Sequence, residues 1–286
     1  MIPELPGDYQ LQLETDTISR SYLLHIPPGY DGAHQLPVVL VFHGATGSGK
    51  RVAGVSGFSE VADSHTFITV YPDGIGGFWN DGREVKSEID DVGFVSALID
   101  HIAETLKVDS SRIYASGISN GAMMVFRLAC ELSEKIAAIA PVAGTLPENV
   151  ALICVPTEKV PVIMFHGTED AYLPYEGGSL NGRVPGVVLS AYRTAETWAK
   201  INECSLEPET TIFPVRDPTD GTQVQRDSYF GPQKEELVVV YTIYGGGHTW
   251  PSGRNSRLLN LGKTSREIKA TDVIWEFFSK HQKKRA

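Results

Sequence analysis

Gly117-Ile118-Ser119-Asn120-Gly121 sets a serine between two glycines. The apolar run ending at Ser116 precedes it, and a helix-period segment carrying Met124, Leu128 and Leu132 follows. Small residues on both sides let a strand turn sharply into a helix, which lifts the serine hydroxyl above a sheet at a helix N-terminus. There the helix dipole and the Asn120 N–H favour a developing negative charge, so the chemistry on offer is nucleophilic attack on a carbonyl. A serine that merely capped the helix would not need glycine on both sides.

A serine hydroxyl is a weak nucleophile and needs a base, and the base needs a group to orient it. In a strand–turn–helix setting the partners follow along the chain as an acid and then a histidine, on loops after later strands. The stretch "VPVIMFHGTEDAYLPYEGG" offers Glu169 and Asp170 after a strand, and "LVVVYTIYGGGHTWPSG" offers His248 after three glycines. Of the eight histidines, His248 alone follows both the serine and an acid on a strand-end loop. His43 and His166 end strands just before glycines, where a ring packs or hydrogen-bonds locally. Asp170 is preferred to Glu169 because its shorter side chain, held by a Pro-containing loop, would fix the imidazole more rigidly.

One stretch points elsewhere. "VVLVFHGATGSGKR" spells G-x-x-x-x-G-K from Gly44 to Lys50 after an apolar strand, as a phosphate-binding loop does. Such a loop needs Ser or Thr next, to ligate magnesium, and here the residue is Arg51. A backbone N–H after a strand can instead hold an oxyanion. The loop's own residues leave both uses open, with His43 before the glycine suiting the second.

The elements that must position these groups are legible as periodicity. "LPVVLVF", "FITVYPDG", "IAAIAPVAG", "VPVIMFHG" and "LVVVYTIYGG" read as buried strands, and "SRSYLLHIPP" alternates like an edge strand. Between them, Val92, Val95, Leu98, Ile99, Ile102 and Leu106 form one helical stripe with Asp91 as the expected N-cap, and "ATDVIWEFFSKH" is a closing amphipathic helix. The alternation predicts an α/β protein with a mainly parallel central sheet and helices on both faces. No repeat or linker divides residues 1–286, so a single domain is expected, with the region around Asp217 to Gly221 as its weak point and expected to be a mobile excursion.

Composition narrows the partners. At 286 residues, 42% apolar and 21% charged, the chain has the make-up of a globular protein. Its net charge of −10 argues against nucleic acid, and Lys283-Lys284-Arg285 is too short a basic run to reverse that. No run approaches the roughly 20 apolar residues of a membrane span. The three cysteines fit no zinc spacing and permit one disulfide, and no signal peptide is visible at the start, which fits either a cytoplasmic protein or a mature secreted one.

With these pieces placed, the chain resembles the polyhydroxybutyrate depolymerase-like and feruloyl esterase group of α/β-hydrolases. Seven collinear motifs carry the resemblance: "VFHGATG", "YPDGIGGFWNDGR", "DDVGFVSALID", "GISNGAMM", "APVAGTLP", "HGTEDAYLPYEGG" and "GGGHTWPSG". It implies an α/β-hydrolase fold and a serine esterase that needs no metal or cofactor, with Ser119 as nucleophile, His248 as base and Asp170 as acid. It also assigns the loop after "LPVVLVF" to an oxyanion hole made by the Ala45 N–H with that of Asn120, Thr46 standing as substitute, and leaves Lys50 a surface lysine. Trp79, Tyr175 and Trp250 lie in the shared motifs and are expected to wall a cleft for a phenolic acyl group or a polyester chain. The resemblance pairs Cys130 with Cys154 and points to secretion, while Cys204 lacks the partner that relatives offer. Feruloyl esters of cell wall sugars are the first expected substrate, with acetylated xylan or hydroxybutyrate oligomers behind them.

Because the base must be neutral to take the serine proton, ester hydrolysis should fall as pH drops through the imidazole titration. A pH–rate profile that rises toward acid would contradict the scheme.

Overall fold

The structure, a computed structural model, describes residues 2–15, 18–83, 88–180, 185–255 and 260–284. Arg285 of the basic run lies outside them. Along the chain the elements are β1 (Gly7–Glu14), β2 (Ser19–Ile26), β3 (Leu36–Phe42), α1 (Gly49–Ser56), α2 (Phe58–His65), β4 (Ile68–Pro72), α3 (Asp91–Thr105), β5 (Val108–Ile118) and α4 (Asn120–Glu131). They continue with β6 (Ala138–Val142), α5 (Glu148–Ile153), β7 (Val162–Gly167), β8 (Gly178–Leu180), β9 (Gly186–Val188), α6 (Ala191–Ile201), β10 (Glu209–Ile212), β11 (Gln223–Phe230), β12 (Glu236–Tyr244) and α7 (Ala270–Phe278).

Ten strands form one sheet in the order β1-β2-β4-β3-β5-β6-β7-β12-β11-β10. The six from β4 to β12 run parallel, and antiparallel pairs flank them on both sides. The parallel strands read as apolar runs because both faces are covered: β3, β4, β6 and β7 are buried at every position. Leu98, Ile102 and Leu128 belong to the core on one face, while Ile274, Phe277 and Phe278 of α7 pack on the other. A small hairpin, β8 with β9, packs Leu180 and Val188 on Met123 and Leu173.

Three local expectations are corrected. β2 is not an edge, since β1 pairs along its whole length and takes the outer place. The N-cap of α3 is Asp90, whose Oδ1 accepts from Gly93 N–H at 2.8 Å. Asp91 is instead fully buried and pairs with Arg20 at 2.7 Å, and the Arg20 guanidinium lies 4.0 Å over the Phe94 ring. A one-residue change in cap position turns this carboxylate inward, where it also accepts from Asn80 N–H at 2.6 Å. Third, the polar span after α6, which is absent from the apolar runs read as strands in the sequence, supplies β10 and β11.

Cys130, in the last turn of α4, is bonded to Cys154 just after α5. Cys204 carries a free thiol, pushed up to about 11 by burial and so held protonated. The Cys130–Cys154 bond closes a loop over a sequence separation of 24. Replacing both cysteines by serine should therefore lower the unfolding free energy by about 3 kcal/mol, read from denaturant melts. No loss in such melts would show that the crosslink does not restrain the unfolded chain.

Candidate active site

Ser119 sits between β5 and α4 with φ 60° and ψ −122°, a conformation that costs an L-residue about 1–3 kcal/mol. Its hydroxyl makes no capping bond to the helix that follows, so the N-cap reading does not account for it. Both flanking glycines are sterically required. A Cβ on Gly121 would lie 2.4 Å from Phe42 O and 2.5 Å from His43 O, and one on Gly117 would lie 2.7 Å from Gly121 C. The elbow therefore exists because the end of β3 passes directly against the first turn of α4.

That close passage brings the β3 loop to the serine. A Cβ on Gly44 would stand 3.2 Å from Ser119 Cβ. Asn120 is the first residue of α4, and its N–H has no acceptor within the helix. The Ala45 N–H has no partner among the described residues, whereas the Thr46 N–H donates to Gly77 O at 2.7 Å. Thr46 is therefore corrected as a substitute donor, since its amide is committed to holding the loop.

His43 fixes the loop from inside. Gly74 N–H donates to its Nε2 at 2.9 Å, which leaves Nδ1 to donate to Gly44 O at 2.7 Å. The bond accepted by Nε2 requires the neutral ring, and burial pushes its pKa down. The Asn120 side chain clamps the elbow from the other side, accepting from Trp79 N–H at 2.8 Å and donating to Trp79 O and to Asp81 Oδ2 at 3.0 and 2.6 Å.

The phosphate-loop reading meets a physical obstacle here. The first donor of α1, Gly49 N–H, is taken by Asp73 Oδ1 at 2.7 Å, so a carboxylate occupies ground a phosphate would need. Lys50 is exposed.

Asp170 and His248 meet at the same end of the sheet. Asp170 Oδ2 accepts from His248 Nδ1 at 2.7 Å, and Oδ1 accepts from Tyr172 and Leu173 N–H at 2.9 and 2.8 Å. Burial by itself raises the carboxyl pKa, but the His248 hydrogen bond, the two neighbouring imidazoles and the Leu173 N–H outweigh it and hold Asp170 ionised. Glu169 points to solvent. The glycines before His248 serve close packing of loops: a Cβ on Gly247 would lie 2.1 Å from Leu261 O. Backbone bonds from Gly247 to Lys263 O at 2.9 Å and from His248 to Leu261 O at 2.6 Å then fix the imidazole's base.

Ser119 and His248 line one open cavity of about 330 Å³. Its apolar wall comes from Ala45, Val52, Val55, Ile118, Tyr172 and Leu261, and Arg51 and Asn255 add polar groups. Tyr172 is half exposed, with its ring 5.2 Å from that of His248. The three aromatic residues expected in the wall are elsewhere. Trp79 is buried and donates from Nε1 to His43 O at 3.0 Å, so it braces the β3 loop. Trp250 is fully buried edge-on to Phe58 and donates to Thr271 Oγ1 at 3.0 Å. The Tyr175 hydroxyl bonds with Thr242 Oγ1 at 2.9 Å, and its ring lies edge-on to that of His166 rather than in the cavity wall. Each has a buried partner for its polar atom, which is how such side chains settle in cores. Tyr172 lay two residues beyond Asp170 in a stretch already singled out, while Val52, Val55 and Leu261 bore no sequence signal.

A strained serine at a strand–helix elbow, with an Asp–His pair over the ends of parallel strands, is the architecture of the α/β-hydrolase class. Residues 77–184 match the Phospholipase/Carboxylesterase family. The chain is 31% identical over 273 residues to the putative esterase NocK of Nocardia uniformis subsp. tsuyamanensis, covering 91% of this chain and 79% of that one. It is 30% identical over 244 residues to feruloyl esterase B of Piromyces equi, covering 82% of this chain and 44% of that longer protein. Among solved structures, an acetyl xylan esterase from Aspergillus awamori shares the fold with a TM-score of 0.62 at 17% identity, over 96% of this chain and 99% of that one. The chain belongs to this feruloyl esterase-like family of α/β-hydrolases and is a carboxylic ester hydrolase.

Burial pushes the His166 pKa down as well as that of His43. In the unfolded chain both rings bind a proton below about pH 6.5, and in the folded protein they resist it, so folding stability should fall as pH drops below that value. Loss of the ionised Asp170 at lower pH acts in the same direction. Urea midpoints should be lower at about pH 5 than at about pH 7.5, and a midpoint that rises on acidification would refute this account.

Proposed function

We propose that Ser119, His248 and Asp170 form the catalytic triad of a serine esterase, with the Ala45 and Asn120 N–H groups as its oxyanion hole. The observation that carries this reading is the buried 2.7 Å bond between Asp170 and His248 Nδ1 beside a serine held in a strained turn in the same cavity. Asp170 keeps the His248 proton on Nδ1, which leaves Nε2 as the base. His248 Nε2 takes the hydroxyl proton as Ser119 Oγ attacks the ester carbonyl, and the two N–H groups stabilise the tetrahedral oxyanion. The imidazolium protonates the departing alcohol, an acyl-enzyme forms, and water activated by the same base releases the acid. No side chain beyond these is asked to move a proton.

The preferred substrate in this reading is a feruloyl or other aryl ester, acting on cell wall xylan or its fragments. The exposed Tyr172 ring and the apolar wall opposite suit a flat phenolic acyl group. Acetylated xylan and hydroxybutyrate oligomers follow as substrates. The Cys130–Cys154 bond supports a secreted protein, because such bonds persist in oxidising compartments. We read residues 1–286 as one catalytic domain.

Hydrolysis of p-nitrophenyl acetate and methyl ferulate by wild type and Ser119→Ala tests the assignment. The variant should lose at least about a thousandfold in kcat on both esters while keeping its fold by circular dichroism. Activity that survives the change would mean the nucleophile is another residue. A clear preference for hydroxybutyrate oligomers over methyl ferulate would reverse the substrate order.

A further inference from the structure

The residue that breaks the phosphate-loop motif, Arg51, is left unused by the mechanism and lies in the wall of the cavity that holds Ser119 and His248. Among the described residues, no other lysine, arginine or carboxylate lines that cavity. Arg51 is exposed, and among the described residues its side chain makes one bond, a long one of 3.4 Å from Nη1 to Thr46 O. It has no acidic partner among the described residues.

Its position also runs against local stability. Arg51 is the third residue of α1, whose first turn contains no acid and carries Lys50 beside it. A helix N-terminus disfavours cations by a few tenths of a kcal/mol or more. The chain's net charge of −10 repels anions at long range, so an anionic substrate group would need a local cation to hold it in the cavity. An unpaired guanidinium presents a planar fork of donors matched to a carboxylate.

We propose that Arg51 is a specificity-determining residue that binds a carboxylate carried by the ester substrate away from the scissile bond, an inference that rests on this cavity being the active site. Two sources share this chemistry: the free acid end of a hydroxyalkanoate oligomer, and a uronic acid in the sugar of a feruloylated fragment. In either case the carboxylate docks on Arg51 while the ester carbonyl lies between Ser119 and the Ala45 loop. A neutral ester of the same size then lacks one anchoring contact.

The test uses matched pairs: hydroxybutyrate dimer against its methyl ester, and feruloyl galacturonate against its methyl ester. Binding is measured by calorimetry in Ser119→Ala protein, where hydrolysis does not consume the ligand, and again with Arg51→Gln or Arg51→Lys added. Gln keeps a donor for Thr46 O and removes the charge. In at least one pair the acid should bind about tenfold tighter than its methyl ester, the worth of one charge-assisted contact. Arg51→Gln should bring that ratio to about one, and Arg51→Lys should retain part of it. The pair that shows the preference identifies the source of the carboxylate. Equal binding of acid and ester in both pairs, or a preference that persists in Arg51→Gln, would overturn the proposal. Hydrolysis of p-nitrophenyl acetate by the Ser119 protein separates the two readings. Hydrolysis without charge preference removes the role of Arg51 alone, and charge preference without Ser119-dependent hydrolysis removes the esterase mechanism while the anion site stands.

Discussion

The backbone turn at Ser119 is the constraint on which the rest of the site depends. A residue with φ 60° and ψ −122° costs about 1–3 kcal/mol and persists only where its surroundings leave no alternative. Here the surroundings are the carbonyls of Phe42 and His43 pressed onto Gly121, which leave no room for a Cβ. The same pressure that forces the turn sets the β3 loop beside the serine, so the Ser119 hydroxyl and the loop's backbone N–H groups are placed by one contact.

Around that contact lies a shell of polar groups whose business is to hold backbone. His43 ties Gly44 to Gly74, Trp79 ties the segment after β4 to His43 O, and Asn120 ties the elbow to Trp79 and Asp81. Behind them, the buried Arg20–Asp91 pair reaches Asn80 through the second carboxylate oxygen. A buried charge pair contributes little net stability once its desolvation is counted. Its effect here is positional: every oxygen and donor it satisfies belongs to the segment that braces the elbow. This explains why a motif as rich in polar residues as "FWNDGR" sits next to the chemistry without contributing a side chain to the cavity.

The Asp170–His248 half of the site is built by a different device. Loops after β7 and β12 are zipped together, with Glu169 N–H on Gly246 O at 2.9 Å, and they rest on the chain at 261–263. Adjacent parallel strands bring their ends within reach of one another, so Asp170 and His248, distant in sequence, become neighbours. Asp170 has three donors on its two oxygens and cannot turn away from the imidazole without leaving two N–H groups, that of Leu173 buried, unpaired.

Sequence by itself determined the parallel sheet and singled out Ser119, Asp170 and His248 as candidates, because apolar runs, strand–turn–helix punctuation and the order of these three residues are local or ordinal features. It placed the β3 loop beside the serine only through the resemblance to known esterases. What tertiary structure decided were the outcomes of packing between distant segments. Trp79, Tyr175 and Trp250 share motifs with the cavity yet turn into the core, since each finds a buried partner there. Thr46 and Ala45 are adjacent and chemically alike as backbone donors, and only the position of Gly77 O separates them. Asp91 and Asp90 exchange cap and core roles by one residue, within the ordinary uncertainty of a helix start. Arg51 is legible in the sequence as a misfit in a phosphate-binding motif, and only the folding of α1 against the cavity sets it in that wall, with no counter-charge among the described residues.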